Sequence, residues 1–286
     1  MRKFLLAFVG CAIWSTCSFS ATVNERLVIL RDSLLLADGS KVPYITFNAV
    51  ETYNSTNSRI ELNIGDQLDL WVVNFDTAVH EFAIKGLTNV FTIPAGDSIF
   101  TSNVFSTPGA FIFYDPLNFP DNAYLGLSSM IAVKDHQHPS FFWNIKEHKD
   151  SWNISITTGG SVNWNNYYPN YFTINGNSAP NINADADARV VGSVGDTLMI
   201  YVTNTGQSIH PLHFHGYHVD VMYSSKFPSH VGRSKDSEGV YSFEGSVFRL
   251  IPNQPGEYPV HDHNLVATTG GNVYPMGMFL TMLITP

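Results

Sequence analysis

The chain of 286 residues carries a formal net charge of −9, is 14% charged and 13% aromatic, and contains only two cysteines. That length suits one large or two ordinary domains, with enough apolar residues to bury real cores. The acidic balance argues against nucleic acid and anionic membrane surfaces as partners.

Residues 1–20, MRKFLLAFVGCAIWSTCSFS, set Arg2 and Lys3 before an apolar stretch from Phe4 to Trp14, followed by Ser18-Phe19-Ser20. They read as a secretory signal peptide cleaved near Ser20 and predict a periplasmic or secreted protein. A lipid anchor at Cys11 or Cys17 is the weaker reading, because neither cysteine has a small-residue context after a leucine. Both cysteines leave with the signal, so the mature chain holds no disulfide, thiolate nucleophile or sulfur ligand. Loss of Arg2 and Lys3 leaves 13 basic against 24 acidic residues, a net charge of −11. No other apolar run approaches the roughly 20 residues that cross a bilayer, so no membrane span is predicted.

Short runs rich in β-branched and aromatic residues follow, such as Leu68–Val73, Phe111–Phe113 and Thr197–Val202. Turn residues bound them at Gly65-Asp66, Pro108-Gly109, Asn175-Gly176, Gly195-Asp196 and Pro255-Gly256. No segment has a convincing amphipathic helical period, and the pattern predicts an all-β sandwich or barrel. The chain also repeats itself. IGDQLDLWVVNFDTAVHEFAIKG (64–86) matches VGDTLMIYVTNTGQSIHPLHFHG (194–216) without a gap, pairing Asn74 with Asn204 and His80 with His210 at a separation of 130. TPGAFIFYDP (107–116) matches QPGEYPVHDH (254–263) at a separation of 147, so the second copy gains about 17 residues, placed in the polar loop between Met222 and Glu244. Two tandem copies of one β-sandwich are predicted: a first domain over 21–134, a linker over 135–150 and a second domain over 151–286.

Of eleven histidines, five fall in two short motifs, HPLHFHG (210–216) and HDH (261–263). On a strand, residues i and i+2 share a face, so His213 and His215 point one way, as do His261 and His263, while Asp262 points to the other. Two neighbouring strands presenting such pairs gather four imidazoles, which suit copper, zinc, iron or nickel. His148, His218 and His230 read as ordinary surface or turn histidines. His136-Gln137-His138 lies in a hydrophilic stretch without a strand pattern and reads as linker.

HPLHFHG resembles the His-Pro-x-His-x-His-Gly signature of multicopper oxidases, and HDH resembles their His-Cys-His. PNYFTINGNSAP (169–180) is similar to the family's FTING segment, and Tyr274-Pro275-Met276-Gly277-Met278 to its closing Gly-Met. The resemblance implies two cupredoxin-like Greek-key domains, laid out as in copper nitrite reductases and two-domain laccases. It also implies a copper cofactor, oxygen or a small reductant as reaction partner, and a homotrimer with sites at subunit junctions. Its metal ligands would be His213, His215, His261 and His263, with His210 at a type 1 copper position.

The departures from the family are as informative. Asp262 stands where the family has the cysteine of blue, type 1 copper, and no second type 1 histidine follows His263. A buried Asp262–His210 hydrogen bond is expected in its place. In the first half, Tyr114, Asp115 and Pro116 replace the HDH residues, and Ala83 and Lys85 stand opposite His213 and His215. Residues 21–133 contain a single histidine, His80, so the family's three-copper cluster cannot be completed. Three functions compete. One is an exported copper oxidoreductase of divergent type whose substrate meets the metal directly. Another is a non-catalytic copper-binding or buffering protein, and a third is a scaffold with a decaying site. Zinc with hydrolytic chemistry stands below copper, because only the resemblance separates the two metals.

Overall fold

The computed structural model describes residues 20–286, so the predicted signal peptide and both cysteines lie outside the described residues. The first half supplies nine strands: β1 (Thr22–Leu35), β2 (Lys41–Asn48), β3 (Ile60–Asn63), β4 (Gln67–Asn74), β5 (His80–Ile84), β6 (Val90–Ile93), β7 (Ser98–Val104), β8 (Gly109–Tyr114) and β9 (Ser128–Lys134). A one-turn helix, α1 (Asp121–Tyr124), precedes the last of them. The second half supplies eleven: β10 (Ser140–His148), β11 (Tyr171–Ile174), β12 (Val191–Ser193), β13 (Leu198–Asn204), β14 (His210–Phe214), β15 (Val219–Ser224), β16 (Ser234–Lys235), β17 (Ser237–Val240), β18 (Glu244–Leu250), β19 (Gly256–Asp262) and β20 (Phe279–Thr285). A two-turn helix, α2 (Asp150–Thr157), follows β10.

The sheets repeat strand for strand. In the first half the orders are β2-β1-β4-β7 and β3-β9-β8-β5-β6; in the second they are β11-β10-β13-β18-β15-β16 and β12-β20-β19-β14-β17. Each pair of sheets closes on its own core. Along β4, Leu68, Leu70, Val72 and Asn74 turn inward while Trp71 faces out, the period-2 alternation of a half-buried strand. Leu198, Ile200 and Val202 on β13 bury the corresponding positions of the second core. The fold is thus an all-β pair of sandwiches, as the repeat predicts, in the cupredoxin-like layout that the resemblance implies. Among the described residues, no helix is long and apolar enough to cross a membrane.

Two details differ from the sequence expectation. The stretch expected as a linker contains β10, a central strand that pairs parallel with β13 and antiparallel with β11. Its alternate residues Phe141, Trp143 and Ile145 enter the second core. The opposite face packs against the first half, where Asn144 Nδ2 donates to the Ser128 carbonyl and Lys146 Nζ to the Ser128 hydroxyl, while Lys146 Nζ also donates to Thr205 of its own half. A strand buried on one face among apolar groups and on the other among polar ones shows no clean alternation, so its charged residues read as solvent-facing. The polar insertion is also ordered: β15 and β16 extend the sheet beyond β18, where the first half has no counterpart.

That extension helps lock the halves together. The Tyr223 ring of β15 lies 5.9 Å from Phe111 of β8, and Ala110, Met130 and Ala132 pack with Phe142, Met199, Tyr201 and Val247. Gly245 on β18 sits so close to β8 that an added Cβ would fall 1.8 Å from the Ala110 carbonyl oxygen. Backbone cannot yield as a side chain does. Gly245→Ala is therefore expected to cost about 2 kcal/mol by overpacking and to lower the melting temperature by ~5 °C in calorimetry. An unchanged transition would mean that the halves do not touch there.

Candidate metal centre

β14 and β19 run antiparallel with Leu212 opposite Asp262 and His213 opposite His261. The ladder continues past the register, because His215 N–H donates to the Pro259 carbonyl and His263 N–H to that of Pro211. Leu212, Phe214, Val260 and Asp262 turn into the core, which places His213, His215, His261 and His263 together on the outer face. Ring centroids are 4.5 Å apart for His213 and His215, 5.1 Å for His215 and His261, 5.6 Å for His213 and His261, and 5.4 Å for His213 and His263.

The nearest nitrogens are the Nε2 atoms of His215 and His261, 3.0 Å apart. Two nitrogens at that separation can both lie about 2.05 Å from one metal ion, subtending roughly 95°. Without metal, one Nε2–H donates to the other ring, and a metal ion would replace that proton. His213 Nδ1 lies 2.7 Å from Ser237 Oγ and 3.1 Å from the Asp236 carbonyl, and His261 Nδ1 lies 2.9 Å from the Asp262 carbonyl. A carbonyl only accepts, so both rings carry hydrogen on Nδ1 and present the Nε2 lone pair outward. Burial lowers the pKa of His215, and the like charges of His213, His261 and His263 lower it further, which favours the neutral form that binds metal. Among the described residues, no three histidine, cysteine or carboxylate side chains already converge on one point. Two of the four imidazoles are in ligating position, and a third joins only when His213 or His263 turns about its side-chain torsions.

His210 is not part of this cluster. It is fully buried, donating from Nδ1 to Asp262 Oδ2 at 2.5 Å and from Nε2 to Glu147 Oε2 at 2.8 Å. Both nitrogens are engaged by carboxylates, so neither is free for a metal. The first half builds the same arrangement: His80 donates to Asp115 at 2.8 Å and to Asp76 at 2.7 Å, and Arg31 binds Asp76 through two nitrogens. Asp115 and Asp262 are repeat equivalents, and each also caps the N–H two residues on, that of Leu117 or Asn264. The second carboxylates differ in origin. Gly206 stands where the repeat has Asp76, and Glu147 from β10 fills the space instead; a Cβ at Gly206 would lie 3.0 Å from Glu147 Cδ.

Residues 149–284 match the family model for multicopper oxidases. The fold of the whole chain matches the blue copper oxidase of Nitrosomonas europaea, with a TM-score of 0.78 at 18% identity over 93% of this chain and 86% of that one. The second half is similar to multicopper oxidases, and the chain shares the fold of these copper proteins. It also matches the copper nitrite reductase of Nitrosomonas europaea, with a TM-score of 0.73 at 16% identity over 92% of this chain and 94% of that one. A laccase from Botrytis aclada matches with a TM-score of 0.70 at 14% identity, over 92% of this chain and 53% of that one. No curated protein matches the sequence.

Where the resemblance implies type 1 copper positions, each half builds a buried carboxylate–imidazole–carboxylate triad. Sequence reasoning reached Asp262 and His210 but missed Glu147 and Asp76. The one signal in the sequence is the exchange of Asp76 for Gly206 between otherwise matching repeats. His148 is a correction of another kind. Expected at the surface, it is fully buried between the rings of Tyr44 and Tyr124, with neither nitrogen hydrogen-bonded, and burial lowers its pKa to about 3. It lies at the end of β10, whose burial the sequence concealed.

The triads predict a pH dependence. Burial alone would lower the pKa of His210, but hydrogen bonds to Asp262 and Glu147, with their charges, raise it to about 9. His80 is raised in the same way against its burial, by Asp115 and Asp76. A histidine whose folded pKa lies above its unfolded value near 6.5 stabilises the fold fully below that value. The contribution is lost as pH rises through the folded pKa. Urea unfolding of the metal-free protein should therefore show stability falling from pH 6.5 to 9.5, and a rise over that window would contradict the triads.

Proposed function

We propose that the protein is an exported copper-binding oxidoreductase of multicopper oxidase type, using a histidine-ligated, non-blue copper site on the outer face of β14 and β19. The observation that carries this reading is the 3.0 Å approach of His215 Nε2 to His261 Nε2, with His213 and His263 beside them. All four donors are imidazoles, which suit copper, with zinc as the lesser alternative. Copper bound there would supply one-electron redox chemistry at an open position. The protein's part is to hold the rings: the β14–β19 register sets their spacing, and Ser237 with the Asp236 carbonyl orients His213. The four rings are partly exposed rather than enclosed, so oxygen or a small reductant could reach them directly. The amino-terminal segment supports export, and the family layout supports a homotrimer.

A specific observation favours a second reading, a non-catalytic copper-binding protein. His80 and His210 are each closed off by two carboxylates, so neither half keeps the centre through which electrons would enter from a surface donor. Metal analysis and electron paramagnetic resonance on protein from its native compartment, with oxygen uptake on phenolic and metal-ion reductants, separate the two. Bound copper with turnover supports the oxidoreductase, and bound copper without turnover across the panel supports the binder. No copper overturns both.

A further inference from the structure

A cleft of about 460 Å³ opens between the two halves, lined by no residue of the histidine motifs. Its walls come from the 54–59 loop of the first half and from β10, the Asn175-Gly176 turn and residues 181–187 of the second. Ligand sites favour such junctions, and this volume lies in their usual range.

The frame is rigid. Asn175 holds a left-handed conformation at φ 53°, donates from Nδ2 to the Phe142 carbonyl and to Asp185, and accepts the Asn144 N–H on Oδ1. The turn is pinned to the first half where Thr56 Oγ1 donates to the Asn175 carbonyl. A Cβ at Gly176 would lie 3.0 Å from the Ser55 carbonyl oxygen, so the two segments are in close contact. Arg59 crosses the junction with a two-nitrogen ion pair to Asp187, bonds Glu61, and lies over the Phe142 ring at 4.1 Å.

The charged side chains are thus already engaged within the protein. Arg59 bonds two carboxylates through all three of its nitrogens, and Asp185 accepts from Asn175 and from the Asp187 N–H. What the cleft leaves for a ligand is mostly amide: the Asn181 side chain and Asn54 Nδ2 have no hydrogen-bond partner among the described residues, and Asn177 Nδ2 makes only a 3.5 Å bond. An amide offers a donor and an acceptor side by side, which suits adjacent hydroxyls that each donate and accept. The flat, weakly hydrated guanidinium of Arg59 over Phe142 offers a surface for the C–H face of a ring.

We propose that this cleft is a second binding site, for an uncharged polyhydroxylated ligand of the size of one or two sugar rings. A preset frame lowers the ordering cost of binding such a ligand. The test is calorimetric titration of the purified protein with glucose, galactose, mannose, N-acetylglucosamine, maltose and cellobiose, alongside glucuronate and glucosamine as charged counterparts. At least one neutral sugar should bind, more tightly than the charged pair. Asn177→Ala/Asn181→Ala, at partly buried and exposed positions, should weaken that binding at least tenfold while leaving copper content and melting temperature unchanged. Failure of every neutral sugar, preference for a charged one, or undiminished binding by the double variant would overturn the proposal. Unchanged copper content in the variant separates this outcome from failure of the metal site.

Discussion

Replacing His210 with alanine is expected to destabilise the protein by roughly 3–5 kcal/mol, because it strands two buried carboxylates that face one imidazole. For a chain of this size that is a fall of roughly 10 °C or more in melting temperature. The reasoning starts from burial: Glu147, His210 and Asp262 are each almost wholly inaccessible. Burial by itself raises Glu147, but the bond and charge of His210 and the bonds from Ser208 hold that carboxyl below its ordinary range. Burial raises Asp262, and His210 only partly offsets it. Removing the imidazolium leaves one of these groups to take up a proton or to repel the other. A triple variant, Glu147→Met/His210→Phe/Asp262→Leu, removes the charges together and should recover part of the loss. Recovery stays partial, since the Gln207 and Ser208 N–H groups lose Glu147 and the Asn264 N–H loses Asp262. If the single alanine variant melts within 2 °C of the parent, about the effect of an ordinary surface substitution, the triad is not a buried charge pair.

The same triad shows how far the sequence can be read. Strand periodicity and the two gapless repeats were enough for two tandem sandwiches, and the i, i+2 rule was enough to put four histidines on one face. Those features depend on local geometry, which short stretches of sequence carry. The partner of His210 depends instead on which distant strand reaches into the core. Glu147 is 63 residues away on a strand whose Asn, Lys, Glu and His read as solvent-exposed. Their burial follows from the packing of one half on the other, and no period in the sequence reports it. The amide-lined cleft is hidden for the same reason: Asn175-Gly176 is visible as a turn, but its seat on the 54–59 loop is a property of the assembled pair.

The largest effect on ligand binding should come from His213→Ala/His261→Ala. The two residues face each other across the β14–β19 ladder, and losing both leaves His215 without the nitrogen 3.0 Å from its own. Substitution of groups that merely orient a ligand costs 10–100-fold in metal affinity, so loss of two ligands should cost at least about 100-fold. Because both rings lie on the outer face, the metal-free melting temperature should stay within a few degrees of the parent. That contrast distinguishes ligand loss from misfolding. Copper binding by the parent should also weaken below about pH 6, since imidazole must be neutral to ligate and protons then compete. With Asp262 bonded to His210 and no sulfur ligand at that position, the copper-loaded parent should lack the intense blue absorption of a thiolate-bound centre. Its paramagnetic resonance should show ordinary, non-blue copper, and that signal should vanish in the double variant. A blue band would place a sulfur on the metal and overturn the imidazole site, and an undiminished signal in the variant would move copper elsewhere on the chain.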